Sequence, residues 1–526
     1  MNKKKKEINK IREFFSDANR LKKFLEITLI IGILLITAYT RFFDLGYSDY
    51  IGDEHKAFFK IEDDKTVWEF FMSRRKGPMQ FFVSHIPYLV TGDFRDELAQ
   101  RIPFAVISVA SVLVFYILIK RLTKNIPVAL ISTFLFTVNG FIVGFGRIAQ
   151  YQNLNLLFSF LSLYFYTFLT EDDCRKITTS SLLGTFFWCL SFLSHWDAIF
   201  ILPVVLVLFV KFLKNKKQDK KFKMILIAKN ILLGSLILLP FLVPFIFNQL
   251  TNQENSEYFQ RRIEMWNFNG LLYKQLIELY NPLITFWLLL TFGLLGMFLY
   301  KKSYIFSIWF FYGYLLFEIF ARKPGTHIYN FVIPLIVLCA MSIQTIYQVV
   351  PKLLKVLWGG LVVLIFTFLL YQTWFIFIDH KVEYPWGQKV LFDFKDLEDK
   401  YYDWQKTDPK YRTYHKIITP KYTLSDKLPL FGFPHRRYWD QINEFVAEQS
   451  LGHGQPYKYI TNEDKTISEW YMTAGHGADR PFYVVGVKKP LSFVEDYKFP
   501  QVGNKRRVYE INNEFGNSVV VIFLAE

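Results

Sequence analysis

The sequence predicts a polytopic all-α membrane protein with about eleven transmembrane helices and a C-terminal soluble domain of the α/β or α+β class. Hydrophobic residues make up 52% of the 526-residue chain, and the mean hydropathy of +0.19 is high for a soluble protein. The hydrophobic residues form long blocks separated by short basic links, and the last block ends near residue 378. This arrangement excludes a disordered, collagen-like, coiled-coil or disulfide-stapled chain.

Eleven blocks are long enough to cross a bilayer, since about 20 mostly apolar residues span it. They lie at 24–41, 102–120, 126–145, 154–170, 179–194, 197–213, 224–247, 283–300, 303–321, 329–349 and 354–378. The first block follows a long polar N-terminus and has no small-x-small cleavage site after it. We therefore expect a retained first span and not a cleaved signal peptide.

Basic residues collect in every second link, as at 121–125, 171–178 and 214–223. The positive-inside rule places these links and the basic N-terminus, 1–23, in the cytoplasm, and an odd number of spans then places 379–526 outside. We expect a multi-pass protein of the plasma (inner) membrane with an extracytoplasmic C-terminal domain. The same placement of charge argues against nucleic-acid binding, which the net charge of +16 would otherwise suggest.

Within the predicted transmembrane domain, 24–378, two outer loops are too long to be simple links. These loops are 42–101 and 248–282. Each contains an apolar stretch too short for a full span, at 79–90 and at 270–280. We expect both stretches to form short helices that lie at the membrane interface or, for 79–90, insert only partly.

The predicted soluble domain, 379–526, differs in composition from the rest of the chain. Its apolar runs shorten to strand length at 416–418, 482–487, 507–511 and 518–524. A helix is expected at 438–449, between the first two of these strands. Alternation of short strands with a helix predicts a small α/β or α+β domain.

Asp53 and Glu54 are adjacent carboxylates in the first outer loop, a few residues beyond the first span. Partial burial at an interface raises the pKa of a carboxylate and suits it to general-base catalysis, so this pair is the leading catalytic candidate. His55 follows directly and is assigned to substrate binding. The alternative, a solvated acidic loop, stays open because two adjacent acids are a weak motif.

Three cations in outer segments are candidates for binding a phosphate. Lys76 is followed by Gly-Pro just before the apolar stretch at 79–90, level with the lipid headgroups, and it either binds a phosphate or anchors the chain at those headgroups. Arg101 opens the second span. Arg147 lies in a short outer link, where an arginine needs an anionic partner. Gln150, in the same link, is assigned to substrate binding.

Two further outer links carry ionisable side chains. The link at 322–330 combines two cations, a histidine and a tyrosine, which suits a phosphate or diphosphate cradle. Its candidate residues are Arg322, Lys323, His327 and Tyr329. The turn His195-Trp196-Asp197 is able to supply an acid or an aromatic platform for a sugar, so His195, Asp197 and His327 are assigned to substrate binding.

No metal site is predicted from ligand spacing. None of the three cysteines belongs to a Cys-x-x-Cys pair, and His453 and His476 have no further ligands at metal spacing. A divalent cation held by Asp53 and Glu54 stays open as an alternative, without a full ligand set.

The order of these motifs resembles the GT-C superfamily, and within it glycosyltransferase family 39, the protein O-mannosyltransferases and aminoarabinose transferases with their bacterial and archaeal relatives. The residues that carry the resemblance are Asp53-Glu54, Lys76-Gly77-Pro78, Arg101-Ile102-Pro103, Arg147 with Gln150 and Asn153, and Lys323 through Tyr329 with Pro334 close behind. The resemblance covers about the first 350 residues. The Trp-Trp-Asp motif of the oligosaccharyltransferases is absent, which argues against that branch and its metal. His195-Trp196-Asp197 replaces a lysine that relatives often carry.

The resemblance implies transfer of a sugar from a polyprenyl-phosphate donor to a glycan, lipid or protein acceptor at the outer face of the membrane. Asp53 is then the general base that deprotonates the acceptor, and Glu54 orients the acceptor or the base. Lys76 neutralises the departing lipid phosphate, assisted by Arg147 and by Arg322 or Lys323 with Tyr329. Such a protein contacts membrane lipids and requires no nucleotide.

Two other functional classes stay open. A polytopic transporter or lipid flippase without glycosyl transfer is the main alternative, but transporters carry charges near the bilayer midplane, whereas the ionisable groups here gather on one side. A membrane-anchored binding protein is less favoured, because eleven spans exceed what an anchor requires.

Overall fold

The chain consists of a helical part up to residue 377 and a smaller mixed part after it. The structure, a computed structural model, describes residues 18–61, 65–74, 76–251, 268–300, 302–322, 324–393, 416–419, 430–451, 457–479, 481–490 and 503–526. The helices of the first part are α1 (Ala18–Phe42), α2 (Val67–Ser73), α3 (Met79–Thr91), α4 (Glu97–Thr123), α5 (Ile126–Thr137), α6 (Gly140–Phe145), α7 (Gln152–Tyr166), α8 (Cys174–Ser194), α9 (Leu202–Lys214), α10 (Lys220–Thr251), α11 (Gly270–Tyr280), α12 (Thr285–Leu299), α13 (Tyr304–Phe320), α14 (Tyr329–Val349) and α15 (Lys352–Phe377).

Six helical segments of the described residues are long and apolar enough to cross a bilayer. They are Glu97–Thr123, Cys174–Ser194, Trp196–Lys214, Lys220–Thr251, Gly325–Val349 and Lys352–Phe377. The number rises to seven if α11 and α12, which meet at 119°, form one broken span. Helices also lie at every other predicted span, but the predicted number of eleven is not confirmed. These apolar helices identify an integral membrane protein.

The block at 126–145 is not one continuous helix. It breaks at Asn139 because the junction of α11 and α12 packs there: a Cβ atom on Gly140 would lie 2.0 Å from the carbonyl oxygen of Tyr280. Asn281 stabilises the break, since its Oδ1 accepts a hydrogen bond from the Gly140 N–H. This contact between two backbones requires glycine but leaves the hydropathy of the block unchanged. Apolarity alone therefore predicted an uninterrupted span.

Short 3₁₀ turns lie in the first outer loop and at the ends of several helices. They comprise Glu54–Ala57, Thr167–Thr170, Trp196–Ile201 and Gly325–Ile328. The predicted short helices at 79–90 and 270–280 are confirmed as α3 and α11.

The core of the helical part surrounds α14, whose first four turns are buried on all sides. A helix that is apolar around its whole circumference suits such a central position. Its neighbour α12 approaches closely through Gly296, where a Cβ atom would lie 2.0 Å from the carbonyl oxygen of Leu338. This packing fixes the N-terminus of α14, which carries Tyr329, relative to the other helices.

The second part contains two sheets and two helices. Its elements are β1 (Val390–Asp393), β2 (Lys416–Ile418), α16 (Trp439–Leu451), β3 (Lys458–Thr461), α17 (Lys465–Tyr471), β4 (Phe482–Val487), β5 (Lys505–Asn512) and β6 (Ser518–Ala525). β1 and β2 pair antiparallel, and a mixed sheet has the order β3-β4-β6-β5, in which β3 and β4 are parallel.

The strands predicted at 416–418, 482–487, 507–511 and 518–524 are confirmed as β2, β4, β5 and β6, and the helix at 438–449 as α16. β1, β3 and α17 were not predicted, because each contains at most seven residues and lacks a clear apolar period.

The C-terminal part contacts the first outer loop close to Asp53. The backbone N–H of Arg437 donates to the Asp49 carboxylate, and its side chain donates to Glu383 at 2.9 Å. The Tyr471 hydroxyl accepts from the Tyr50 N–H at 2.8 Å and donates to Glu97 at 2.6 Å. These contacts tie the segment that precedes Asp53 to a second folded unit.

Candidate functional site

Asp53 lies at the start of the 3₁₀ turn Glu54–Ala57, directly after Gly52, whose φ of +60° favours glycine. Its carboxylate is about half exposed, at 48%. Oδ1 accepts a hydrogen bond from Lys56 Nζ at 2.9 Å, and Oδ2 lies 3.6 Å from Lys76 Nζ. Asp53 is therefore accessible to a substrate while it faces two ammonium groups.

Lys76 is positioned by the glycine that follows it. A Cβ atom on Gly77 would lie 1.9 Å from the carbonyl oxygen of Leu193, so only glycine allows this turn to pack against the end of α8. Lys76 Nζ is buried, and no acceptor among the described residues lies within hydrogen-bond distance of it. The ring of Tyr151 lies 5.3 Å from Nζ. A buried ammonium with open hydrogen-bonding capacity is suited to an anionic ligand.

The two charges shift each other's pKa. Burial alone would raise the pKa of Asp53, but Lys76 and Lys56 outweigh it and hold the pKa of Asp53 well below its usual range. Burial lowers the pKa of Lys76, and Asp53 opposes this shift only in part. Asp53 is therefore ionised at neutral pH.

Glu54 has a different environment from Asp53, although the two residues are adjacent. Its fully buried carboxylate accepts from Arg101 Nε at 2.9 Å and Nη2 at 2.8 Å. It also accepts from the backbone N–H groups of Ile51 and Ala149, each at 2.9 Å. Glu54 is satisfied by four donors and has no access to solvent.

Arg101 uses all five of its N–H groups inside the protein. Beyond the two bonds to Glu54, it donates to the carbonyl oxygens of Leu45 at 3.1 Å, Ser48 at 2.7 Å and Asp49 at 3.0 Å. No donor of Arg101 is left for a phosphate in this arrangement. Phosphate binding by Arg101 stays a prediction, and it would require some of these five hydrogen bonds to be exchanged.

Arg147 holds the end of the first span. Its Nη1 donates to the carbonyl oxygens of Thr40 at 3.1 Å and Phe43 at 2.9 Å, and its Nη2 donates to that of Asp44 at 3.2 Å. Burial and the charge of Arg101 lower its pKa to about 10. Cations near helix C-termini stabilise the terminal carbonyls, and phosphate binding by Arg147 stays a prediction.

His195, Asp197, His327 and Tyr329 come together, although they lie on two links distant in the sequence. The Asp197 carboxylate accepts from the Tyr329 hydroxyl at 2.8 Å and lies 2.9 Å from His327 Nδ1. His195 Nδ1 lies 3.0 Å from the same carboxylate. The ring of His195 stacks on Tyr151 with a centroid separation of 3.9 Å, so this cluster adjoins Lys76.

Four candidates remain, and the structure describes three of them. His55 faces Trp470 of the C-terminal part, with ring centroids 6.1 Å apart, and burial together with Lys56 lowers its pKa to about 4. Gln150 is buried and accepts from Gln152 at 3.1 Å. Arg322 is exposed. Lys323 lies outside the described residues.

Tyr151 is the residue that sequence reasoning missed. It lies between Lys76 and His195 and contacts both. Its position in the short link after Arg147 was a signal, because an aromatic ring in an outer link that already carries a cation and two amides is able to bind a sugar or an ammonium. Nothing in the sequence connects it to Lys76, which is 75 residues away.

Residues 75–247 match the family model described as dolichyl-phosphate-mannose-protein mannosyltransferase. The matched segment contains Lys76, Arg101, Arg147, His195 and Asp197 and ends before α11. The match confirms the resemblance to glycosyltransferase family 39 within the GT-C superfamily that the motifs predicted. No curated protein matches the chain in a sequence comparison.

Solved structures of two proteins are similar in fold. ArnT from Cupriavidus metallidurans in the apo state is 14% identical, with 60% of this chain and 59% of that chain covered and a TM-score of 0.41. Its structure with undecaprenyl phosphate is 13% identical, with 60% of each chain covered and a TM-score of 0.41. The oligosaccharyltransferase AglB from Archaeoglobus fulgidus, in complex with an inhibitory peptide and a dolichol-phosphate, is 13% identical. The match covers 88% of this chain and 69% of that chain, with a TM-score of 0.42.

This chain thus spans about 60% of the length of the ArnT structures.

Proposed function

We propose that this protein is a membrane glycosyltransferase that moves a sugar from a polyprenyl-phosphate donor to a glycan, lipid or protein acceptor at the outer face of the membrane. The observation that carries the proposal is the pairing of Asp53 with Lys76. An ionised, half-exposed carboxylate lies beside a buried ammonium that has no hydrogen-bond acceptor among the described residues. The family match over 75–247 supports the same chemistry.

Each partner of the pair has a defined role in this reaction. The acceptor oxygen attacks the anomeric carbon of the sugar, and its proton moves to Asp53. The bond between that carbon and the phosphate oxygen breaks, and its electron pair leaves with the lipid phosphate. Lys76 binds this phosphate and stabilises the charge that develops on it. Such electrostatic stabilisation of the transition state usually contributes most to the rate acceleration.

The same pairing links donor binding to base strength. In the free protein, Lys76 stabilises the ionised form of Asp53 and makes it a weak base. A bound phosphate neutralises Lys76, so the carboxylate loses that stabilisation and its pKa rises. Asp53 therefore becomes an effective base only when the donor is in place, which limits wasteful hydrolysis of the donor.

The position of the pair supports the proposed orientation. One helix, α4, separates Asp53 and Lys76 from the basic link at 121–125, which we expect to be cytoplasmic. The positive-inside rule then places both on the outer side of the plasma (inner) membrane, with the N-terminus in the cytoplasm and the C-terminal part outside.

The test is transfer from labelled polyprenyl-phosphate sugars by the purified full chain in detergent, with native membrane extract as the acceptor. We expect turnover with at least one sugar, and loss of turnover by more than about 100-fold in Asp53→Asn with donor binding retained. Asp479→Asn is the matched control, because Asp479 is an exposed aspartate that also pairs with a lysine.

Absence of both donor binding and turnover across the panel of sugars would overturn the proposal in favour of a transporter or flippase. Equal turnover in Asp53→Asn and Asp479→Asn would overturn the role of Asp53.

A further inference from the structure

We infer that His195, Asp197 and His327 form a binding site for a divalent transition-metal cation such as Zn²⁺. Each offers one ligand atom, and the three atoms lie within 4.8 Å of one another. Among the described residues, this is the only set of three histidine, cysteine or acidic side chains with such a geometry. Two imidazoles and one carboxylate are a ligand set that Zn²⁺ uses with three protein ligands.

Two of the three separations between ligand atoms are close to those around a tetrahedral ion. Oδ1 of Asp197 lies 3.0 Å from His195 Nδ1 and 3.1 Å from His327 Nδ1. Ligand atoms around a tetrahedral Zn²⁺ with bonds of about 2.0–2.1 Å lie about 3.3 Å apart. The two imidazole nitrogens lie within 4.8 Å of each other, so rotation of the histidine side chains would bring all three ligand atoms around one ion.

A network of ordinary hydrogen bonds explains these contacts less well. His195 Nδ1 lies 3.2 Å from the backbone N–H of Asp197, which needs an acceptor, and 3.0 Å from the carboxylate oxygen, which needs a donor. A neutral imidazole nitrogen is not able to serve both. A cation held by the nitrogen and the oxygen removes the need for a proton between them.

The surroundings of the cluster hold its ligands in place. The Tyr329 hydroxyl donates to Oδ2 of Asp197 at 2.8 Å, the type of outer hydrogen bond that orients metal-binding carboxylates. Tyr151 stacks on the His195 ring, and Asp197 is buried. The His327 side chain is 32% exposed, so an ion is able to enter from that side. Three ligands leave a fourth position for water or an anionic oxygen.

The experiment is a measurement of Zn²⁺ binding to the full chain, purified in detergent with a histidine-free tag and treated with a chelator. We expect elemental analysis to find one Zn²⁺ per chain. Co²⁺ added in place of Zn²⁺ should show the visible absorption of a tetrahedral site. His327→Gln should weaken Zn²⁺ binding by at least about 100-fold, and Tyr329→Phe by about 10-fold. Metal content is measured without substrate, so the result is independent of the proposed transferase activity.

The control is His476→Gln, since His476 is exposed and lies in the C-terminal part. It should bind Zn²⁺ as the unaltered chain does. Thermal unfolding of the metal-free variants checks that each is folded. If His327→Gln does not fold, His195→Gln provides a second substitution of a ligand. Failure of the unaltered chain to bind Zn²⁺ stoichiometrically, or full retention of binding in the ligand variants, would overturn the site.

Discussion

Two adjacent carboxylates of this protein lie in opposite environments. Glu54 is fully buried and bound by Arg101 and two backbone N–H groups, whereas Asp53 is half exposed and faces Lys76, which has no acceptor within hydrogen-bond distance among the described residues. We call Glu54 with Arg101 the closed pair and Asp53 with Lys76 the open pair. The closed pair fixes the backbone so that the open pair is presented to a ligand.

The difference shows how one acidic motif supplies both structure and chemistry. A buried ion pair whose donors and acceptors are all satisfied resists change, because removal of either member leaves an uncompensated charge. An ion pair with open hydrogen-bonding capacity is able to exchange a partner for a ligand.

The largest effect is expected from Arg101→Met. It leaves the Glu54 carboxylate buried with two donors lost, and loss of one member of a buried pair typically costs about 3–5 kcal/mol. The free energy of unfolding in detergent should fall by that amount, or the protein should fail to accumulate. Arg121→Met is the control, since its pair with Glu171 is partly exposed. Equal destabilisation by the two variants would contradict the special role of the closed pair.

Lys76→Met should separate binding from stability. A charge-assisted contact to a phosphate contributes about 1.5–3 kcal/mol, so the Kd for a polyprenyl-phosphate sugar should rise about 10- to 100-fold. The melting temperature should not fall, because the substitution removes a buried ammonium without a hydrogen-bonded acceptor. Equilibrium binding and thermal unfolding of the same preparation measure both. A lower melting temperature with an unchanged Kd would assign Lys76 to the fold.

Lys76→Gln should also change the pH dependence. Lys76 holds the pKa of Asp53 below its usual range, so the free protein keeps the base ionised to low pH. Without that charge the pKa of Asp53 rises, and activity is lost at a higher pH than in the unaltered protein. The pH profile of kcat/KM, which reports the free enzyme, measures the shift of its acid limb. An acid limb that stays in place would show that Lys76 does not act on Asp53.

Lys56→Ala should have the smallest effect. Lys56 bonds Asp53 at 2.9 Å, but its side chain is 50% exposed, and exposed ion pairs contribute about 0–1 kcal/mol. We expect kcat/KM to change by less than about fivefold. A loss as large as that of Lys76→Met would show that the shorter contact, and not the buried one, positions the base.

The open pair was accessible from the sequence because its signals are local. Asp53 follows a glycine at the end of a span, and Lys76 precedes Gly-Pro and an apolar stretch, so each was recognisable within a few residues. The spans were predictable for the same reason, since apolarity is a local property. The number of complete spans was not, because breaks such as that at Asn139 depend on contact with the junction of α11 and α12.

The closed pair and the metal-ligand cluster depend on contacts between distant residues. Arg101 bonds Glu54 across 47 positions, and His327 meets Asp197 across 130. No local pattern encodes these contacts, so the sequence identified Arg101 and the histidines as candidates without showing which residues they bond. Tertiary packing decides which polar side chains satisfy one another and which stay available.

The most direct measurement compares Asp53→Asn with Glu54→Gln, two adjacent substitutions of the same chemical kind. Melting temperature and the rate of sugar transfer are measured for both on the same donor and acceptor. We predict that Asp53→Asn keeps its melting temperature and loses turnover, whereas Glu54→Gln melts at a lower temperature and its folded fraction retains transfer. The reverse pattern, with Asp53→Asn destabilised and active when folded, would contradict the division of roles between the two carboxylates.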